Sequence, residues 1–325
     1  MKRSRREFFQ VATGAIALPA LARVGRAESY PSRPIRILVG FAAGGNFDFI
    51  ARLIAERMAE RLGQPVIVEN RPGAGSNIAA EAAVRSLPDG YTLFLAGAVN
   101  AINATLYDKL NFNFATDVAA VAGAVQFPNV MTVSASFPAK SVPEFIAYAK
   151  SNPGTINHGS SGIGTSQHLA GELFKAASGA NFTHIPYKGA SQALTDALAG
   201  EVQVLFEALP PSLPHIKSGR LRPLAVTTPI RSEALPDTPA VAEFLPGYEA
   251  SGWSGFCVPR NTPASVIQRL NTVINESLHD TKVAKQLAEL GAMRMGGSPE
   301  DLAQLIARET QKWAQVIRAA NIKVE

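Results

Sequence analysis

The stretch from residue 35 to residue 62 restricts the fold of this chain more than any other segment. The apolar run at 35–41 predicts a buried strand, and the glycine pair Gly44–Gly45 after it allows a sharp turn. A helical pattern follows, with Asn46 as its predicted N-cap and Asp48 in the first turn, where the helix dipole favours an acid. Such a loop presents free backbone N–H groups to a small anion, although a plain tight turn has the same pattern.

Short apolar strands alternate with helical patterns along the chain, which predicts an α/β fold with mostly parallel sheets flanked by helices. Strands are predicted at 35–41, 66–70, 91–96, 130–134, 155–160, 182–186, 202–207, 222–227 and 252–258. Helices are predicted at 47–62, 75–86, 143–151, 166–177, 190–199, 263–278, 281–290 and 299–320. Ser141 and Ser298 precede two of these helices as predicted N-caps, each with an acid three residues later.

Two places in the sequence are suited to carry the chain between two lobes. One is Phe127–Asn129, between two apolar runs, and the other is the proline-rich stretch 235–247, which precedes a new strand. We therefore expect a first lobe of residues 28–128 plus 250–325 and a second lobe of residues 129–249. The cleft between them is the expected ligand site, because open α/β sheets bind ligands at the carboxyl ends of their strands.

The first 27 residues are predicted to be an export signal rather than part of the fold. The pair Arg5–Arg6 precedes two phenylalanines and a mildly apolar stretch, 11–22, that is too short for a typical membrane-spanning helix. This pattern matches a twin-arginine signal with cleavage after Ala27; an ordinary secretory signal or a disordered basic tail are the alternatives. The signal holds six of the 31 basic residues and one of the 26 acidic residues, so the mature chain keeps 25 of each. A neutral chain gives no support for binding to nucleic acid or to an anionic membrane.

Motifs for catalysis and for metal binding are missing from the sequence. It contains no G-x-S-x-G elbow, no G-x-G-x-x-G turn, no P-loop lysine and no H-E-x-x-H helix, and its five histidines show no metal-ligand spacing. Cys257, the one cysteine, stands in an apolar strand-like run, which indicates a buried inert thiol. Nothing in the sequence assembles a nucleophile, a base and an oxyanion donor, so we expect neither catalysis nor a cofactor or metal.

A second strand, turn and helix of the same kind occurs at residues 156–173. Hydroxyl groups near the helix start come from Ser160, Ser161, Thr165 and Ser166. His168 falls in the first turn beside the expected cleft. Two such loops facing each other suit a carboxylate without any arginine. Two independent helix caps are the structural alternative.

Two further polar residues follow predicted strands of the second lobe. Tyr187 can pack on a ligand, and Glu207 can receive an ammonium group or bridge a water. Each is equally typical of a structural residue at the surface, so both roles stay open at this point.

A series of short motifs runs in order through residues 28–322. The segments are 30–35 (YPSRPI), the Gly44–Gly45 loop with Asp48, 68–75 (VENRPGAG), 88–93 (PDGYTL), 101–103 (AIN), 138–141 (PAKS), 158–162 (HGSSG), 168–173 (HLAGEL), 186–189 (PYKG), 246–249 (PGYE) and 261–263 (NTP). In these motifs the chain resembles the periplasmic solute receptors of tripartite tricarboxylate transporters, also called the Bug proteins. The resemblance implies a two-lobed Venus-flytrap fold that closes on one small organic solute, often a carboxylate. It implies a membrane transporter as partner, and we expect the receptor to be a monomer.

The resemblance also implies where the solute binds. A carboxylate would be held between the first loop, Ala42–Asp48, and the second loop, Ser160–Thr165, partly through ordered waters. Gly97–Asn100 would line the site further, and Glu207 falls where the family commonly has an aspartate. The predicted ligand-binding residues are Ala43, Gly44, Gly45, Asn46, Phe47, Asp48, Gly97, Ala98, Asn100, Ser160, Ser161, Gly164, Thr165, His168, Tyr187 and Glu207.

The first loop departs from the family pattern. Where the family usually has P-F-P-P-G-G-S-T-D, this chain has G-F-A-A-G-G-N-F-D. Ala42 and Ala43 replace two prolines, which removes some rigidity, and Asn46–Phe47 replaces a Ser-Thr pair, which removes a hydroxyl and adds an aromatic ring. In the next lining segment, Val99–Asn100 replaces a common Thr-His pair.

The resemblance implies the function, and these departures narrow the class of ligand. We expect a periplasmic receptor that delivers a small carboxylate, aromatic or partly apolar, to a tripartite transporter. A receptor that presents its ligand to a membrane sensor is the alternative on the same fold. An exported enzyme would need a nucleophile and a base, for which the sequence offers no candidates.

Overall fold

The computed structural model describes residues 30–187 and 189–323, so the predicted export signal at residues 1–27 lies outside the described residues. The strands are β1 (Ile35–Val39), β2 (Val66–Asn70), β3 (Thr92–Gly97), β4 (Val118–Phe127), β5 (Asn129–Ser134), β6 (Asn157–Ser160), β7 (Thr183–Pro186), β8 (Val204–Ala208), β9 (Leu221–Val226), β10 (Gly252–Pro259) and β11 (Met293–Gly296). The helices are α1 (Asn46–Leu62), α2 (Asn77–Val84), α3 (Ala98–Leu106), α4 (Phe114–Asp117), α5 (Val142–Ser151), α6 (Ser166–Ser178), α7 (Ala190–Ala199), α8 (Leu209–Lys217), α9 (Ala264–Leu278), α10 (Thr281–Glu289) and α11 (Pro299–Ala319). Every predicted strand and helix has a counterpart here.

The strands form two mixed sheets flanked by helices. One sheet has the strand order β11-β4-β10-β3-β1-β2, and the other has the order β7-β6-β8-β5-β9. The prediction of mostly parallel sheets is wrong, because β4, β10 and β11 pair antiparallel in the first sheet and β5 pairs antiparallel with both neighbours in the second. The chain path explains this: β4 leads out of the first sheet and its neighbour β10 leads back, so the two run in opposite directions.

The chain passes between the sheets at two places. β4 ends at Phe127 and β5 of the second sheet begins at Asn129, with Pro128 between them. β9 of the second sheet ends at Val226, and β10 begins in the first sheet at Gly252. The crossing residues therefore stand where the two sheets approach each other.

Serine caps begin two of the helices. The Ser141 hydroxyl accepts the backbone N–H of Glu144 at the start of α5, and the Ser298 hydroxyl accepts that of Asp301 at the start of α11. Both predicted caps are thus confirmed. The predicted cap at Asn46 is wrong, because α1 begins at Asn46 itself and the preceding glycine occupies the N-cap position.

The sequence does not predict β4, β11, α3, α4 or α8. Residues 209–217 resemble a break in structure because they contain Pro210, Pro211 and Pro214. Helix α8 nevertheless forms, with the first two prolines in its first turn, where a missing N–H removes no hydrogen bond. In the part of the chain that the structure describes, no helix combines the length and the apolar character needed to span a lipid bilayer.

The last helix, α11, packs against both lobes. It contacts α3 and β4 of the first lobe and α6 of the second lobe. Near its middle, the buried Glu309 accepts the indole N–H of Trp253 at 3.2 Å and that of Trp313 at 2.8 Å, both through Oε2. Lys312 forms an ion pair with the same carboxylate. Glu309 therefore joins α11 to β10 where the chain re-enters the first sheet.

The single cysteine is buried, as predicted. Cys257 lies inside β10 with no exposed surface, and burial raises the pKa of its thiol to about 12. Because the thiolate is the reactive form, a thiol with such a pKa is inert at neutral pH.

Candidate functional site

A cavity of about 310 Å³ lies between the two lobes, where the chain crosses from one sheet to the other. The first-lobe residues on its wall are Phe41, Asn46, Phe47, Ala98, Val99, Phe127, Gly252 and Trp253. The second-lobe residues on its wall are Asn129, Ser161, Thr165, Ser166, Gln167 and Ala208. Helices α1, α3, α6 and α8 begin at or next to these residues, so their positive dipole ends surround the cavity. No lysine, arginine or histidine is among the described residues that line it.

The first-lobe wall of the cavity is largely aromatic. The ring centroids of Phe41 and Phe47 are 4.6 Å apart, and Phe127 and Trp253 belong to the same wall. Gly97 makes room for the Phe47 ring, since a Cβ added at Gly97 would lie 2.5 Å from Phe47 Cζ. This wall suits the apolar or aromatic body of a ligand better than a second charged group.

The glycines of the first loop do not reach the cavity. Ala43–Gly45 is exposed, and the backbone N–H of Gly44 donates to Asp48 Oδ2 at 2.9 Å. The hydrogen bonds from Arg52, together with that from Gly44, hold the pKa of Asp48 down at about 2. The Asp48 carboxylate therefore accepts the Gly44 N–H, a donor that the sequence-based prediction assigns to a ligand carboxylate.

The second loop presents hydroxyl groups to the cavity. Ser161 and Thr165 lie on its wall, and Thr165 also caps α6 by accepting the backbone N–H of His168 at 3.3 Å. Ser160 is buried behind them, with its Oγ 2.6 Å from His184 Nε2. The loop is thus held from behind by hydrogen bonds to histidine.

Gly164 brings the second loop against the first lobe. Its φ is +75°, a conformation that favours glycine, and a Cβ added there would lie 2.1 Å from Leu106 Cδ2 at the end of α3. A residue without a side chain is therefore required where the two lobes touch.

Three buried or half-buried histidines stand behind the second loop. The rings of His168 and His184 stack with centroids 3.7 Å apart, and His158 lies 5.4 Å from His184. The backbone N–H of Gly164 donates to His168 Nδ1 at 3.1 Å, so that nitrogen carries no proton. Among the described residues, no group of three or more His, Cys, Asp and Glu side chains is placed to hold a metal ion. The histidines shape the loop as neutral rings.

We expect acid to destabilise the protein through these rings. Burial, followed by nearby positive charge, lowers the pKa of His168 to about 3 and that of His184 to about 4, from 6.5. The unfolded chain binds protons on these residues near pH 6.5 and the folded chain does not. Stability is therefore complete above about pH 6.5 and falls as the pH decreases towards about 4. Urea unfolding at pH 7.0, 5.5 and 4.5 measures the decrease.

The matched variant for this experiment is His184→Gln, in which the amide can still bond Ser160 but does not titrate. Its urea midpoint should change less with pH than that of the natural chain. Equal pH dependence in the two proteins would contradict the assignment, because the loss would then come from other groups.

The remaining predicted residues are divided between the wall and its surroundings. Ala98 lies on the wall, while Gly97 is the N-cap of α3 and Asn100 is buried, with its Oδ1 accepting the Gly97 N–H at 3.0 Å. Tyr187 donates its hydroxyl to Asp196 at 2.6 Å, away from the cavity. The first contact holds the start of α3 in place, and the second joins the segment before α7 to the C-terminal half of that helix.

Glu207 lies directly behind the second-lobe wall. Its side chain is buried and its carboxylate accepts hydrogen bonds from Ser161 Oγ at 3.0 Å, from Gln167 Nε2 at 3.0 Å and from the Ala208 N–H at 2.8 Å. Burial raises the pKa of Glu207, against the opposing effect of these hydrogen bonds. Glu207 therefore orients two side chains that line the cavity.

The structure brings together part of the predicted set. Asn46, Phe47, Ala98, Ser161 and Thr165 lie on the cavity wall. Away from the wall are Ala43, Gly44, Gly45, Asp48, Gly97, Asn100, Ser160, Gly164, His168, Tyr187 and Glu207.

Apart from Val99, which belongs to the predicted lining segment Gly97–Asn100, several wall residues are missing from the set of predicted ligand-binding residues. They are Phe41, Phe127, Asn129, Ser166, Gln167, Ala208, Gly252 and Trp253. Two signals in the sequence could have identified most of them. Four flank the places where the chain crosses between lobes, and two are the first residues after the helix cap at Thr165.

Comparisons with known proteins agree on one family. The family described as "Tripartite tricarboxylate transporter family receptor" matches residues 50–322. The protein BugT of Bordetella pertussis is 36% identical over 318 residues, which cover 97% of this chain and 96% of BugT.

Two solved structures from Rhodopseudomonas palustris share the fold. Rpa4515, solved with adipate, is 36% identical with a TM-score of 0.79, and the match covers 90% of this chain and 99% of that one. MatC, solved with bound malate, is 30% identical with a TM-score of 0.74, and the match covers 89% of this chain and 100% of that one. The predicted two-lobed α/β fold class is thereby confirmed.

Proposed function

This chain belongs to the tripartite tricarboxylate transporter receptor family, and we propose that it captures a small, partly apolar or aromatic carboxylate for a transporter of that type. Receptors of this family are periplasmic solute-binding proteins rather than enzymes, as the sequence predicts. Adipate and malate, the ligands of two similar structures, are both carboxylates.

The observation that carries this proposal is the unequal chemistry of the two cavity walls. The second-lobe wall supplies hydroxyl groups and the start of α6, where the N–H groups of Ser166 and Gln167 have no partner within the helix. Those N–H groups and the helix dipole suit a carboxylate without a cation. The opposite wall, with Phe41, Phe47 and Trp253, suits an apolar body.

Transport requires that the ligand change the shape of the receptor. A ligand that contacts both walls binds the closed arrangement of the lobes better than an open one, and only such a difference in affinity can shift the equilibrium between them. Export through the twin-arginine route would bring the mature chain, starting after Ala27, to the compartment where such a receptor works. We expect the mature chain to act as a monomer.

A ligand panel tests the proposed ligand class. At about a hundred times its Kd, a ligand adds about 2.7 kcal/mol to the free energy of unfolding, which a thermal-shift assay detects. We expect stabilisation by 3-phenylpropanoate or a similar acid with an apolar body, and none by citrate at equal concentration. In Phe47→Thr, the affinity for the stabilising acid should fall about tenfold, because an aromatic contact is lost.

Phe49→Thr is the control for that variant, since Phe49 is an exposed ring of the same helix and does not line the cavity. It should bind the acid as the natural chain does. Stabilisation by citrate alone, or an equal loss of affinity in both variants, would refute the apolar ligand class. Loss of uptake of the acid in a deletion strain would support the transport role, and loss of a response to it with uptake intact would support sensing instead.

A further inference from the structure

The hydroxyl groups of the second-lobe wall have their protons directed away from the cavity. Ser161 donates to Glu207 Oε2 at 3.0 Å, Thr165 donates to the Gly162 carbonyl at 2.8 Å, and Ser166 donates to Gln167 Oε1 at 3.3 Å. A serine or threonine hydroxyl has one proton and two lone pairs. These three groups therefore offer the cavity acceptors and not donors.

Glu207 fixes the direction of the hydrogen bond that Ser161 makes. Its Oε1 accepts two N–H groups, from Ala208 and Gln167, and these can only donate. Its Oε2 remains for the Ser161 hydroxyl. Among the described residues, no basic side chain contributes to the pKa shift of this carboxyl group, which burial raises.

This arrangement limits what the ligand can place against Ser161. A ligand carboxylate there would meet the lone pairs of Oγ and, behind them, a buried acid, and two such groups repel. A hydroxyl or ammonium group there would donate to Oγ and continue the hydrogen-bond chain to Glu207. The carboxylate of the same ligand has its donors nearby, at the start of α6.

We propose that the ligand carries a hydrogen-bond donor, a hydroxyl or an ammonium group, close to its carboxylate, and that the Ser161–Glu207 pair selects for this donor. The inference rests on the proposed function, because it names a second requirement of the same carboxylate site. Ser161 contacts the donor, and Glu207 acts through Ser161 as a positioning residue.

Two matched series of ligands test the proposal by titration calorimetry at pH 7. One is 3-phenylpropanoate, 3-phenyllactate and phenylalanine; the other is succinate, malate and aspartate. We expect the hydroxy acid or the amino acid to bind at least tenfold more tightly than the unsubstituted acid of its series, and the better of the two identifies the donor. If the unsubstituted acids bind as tightly as the substituted acids, this inference is overturned, while the proposed function as a carboxylate receptor is still supported. If no member of either series binds, both proposals fail.

Glu207→Gln tests the role of the pair. The glutamine carbonyl can still accept the Ala208 N–H, while its amide donates to Ser161 and turns the serine proton towards the cavity. The preference for the substituted acid should fall at least tenfold, because the unsubstituted acid gains a donor. Glu300→Gln, an exposed glutamate in the first turn of α11, is the control and should keep the preference.

Two further measurements test whether the Glu207→Gln variant is misfolded and whether Glu207 is protonated in the natural chain. Ser161→Ala removes the acceptor without changing Glu207, and its preference should also fall to about one. If instead an unsubstituted acid binds tightly with uptake of one proton, measured in buffers of different ionisation enthalpy, Glu207 is protonated and Ser161 is a donor. That result would overturn the proposal.

Discussion

Replacement of Gly164 by valine should weaken ligand binding by about tenfold to a hundredfold. The added Cβ would lie 2.1 Å from Leu106 Cδ2, so valine must push the second loop away from the end of α3. This contact joins the two lobes, and we expect it to be absent from an open arrangement. The substitution therefore destabilises the closed arrangement selectively, and the Kd measured by calorimetry should rise mainly through faster dissociation.

Gly154→Val separates this effect from backbone strain. Gly154 has a φ of +78°, close to the +75° of Gly164, yet nothing lies within 4 Å of a Cβ added there. Both variants should lose similar stability from the unfavourable φ, about 1–2 kcal/mol. Only Gly164→Val should lose affinity. An unchanged Kd in Gly164→Val would mean that the lobes do not need this contact to hold the ligand.

Replacement of Glu309 by alanine should lower the free energy of unfolding by about 2–5 kcal/mol. The indole N–H groups of Trp253 and Trp313 both donate to its Oε2, and alanine leaves two buried donors without a partner. Lys312 keeps its hydrogen bond to the Glu249 carbonyl at 3.2 Å, so its loss of the ion pair adds little. Urea unfolding measures the loss.

Glu309→Gln is the matched control, because its amide oxygen can still accept both indole groups. We expect it to lose only about 1 kcal/mol, the ion pair being replaced by a neutral contact. Trp253 also lines the cavity, so Glu309→Ala should weaken ligand binding while Glu309→Gln should not. A loss of stability as large in glutamine as in alanine would show that the charge, rather than the two hydrogen bonds, holds α11 to β10.

The fold was largely predictable because the sequence repeats one simple pattern, a strand followed by a turn and a helix. An apolar strand such as β1, a turn with glycine and an amphipathic helix such as α1 occur again and again, and each signal depends on neighbouring residues alone. Strand direction was not predictable in the same way. The antiparallel pairing of β4 with β10 joins chain segments more than a hundred residues apart, so no local sequence pattern predicts it.

The site was predictable only where it coincides with a helix start or the turn before it. Helix starts hold Asn46, Phe47, Ala98 and Thr165, and Ser161 lies in the glycine- and serine-rich turn before α6. Sequence patterns mark both kinds of position well. The glycine loop itself was misleading, because the residue that attracts attention as a helix-dipole acid, Asp48, uses the Gly44 amide for itself. A side chain that competes with the ligand for a backbone donor cannot be recognised before the loop geometry is known.

The absence of cations from the described wall of the cavity has a consequence for the conditions under which the protein works. An arginine or lysine in an open site attracts counter-ions, and salt screens it within a Debye length of about 8–10 Å. Here four helix starts surround the cavity instead, and their partial charges are fixed in the backbone. A ligand that enters such a site displaces few bound ions, so its capture should vary little between dilute and saline surroundings. The protein is thereby suited to a compartment whose salt content it does not control.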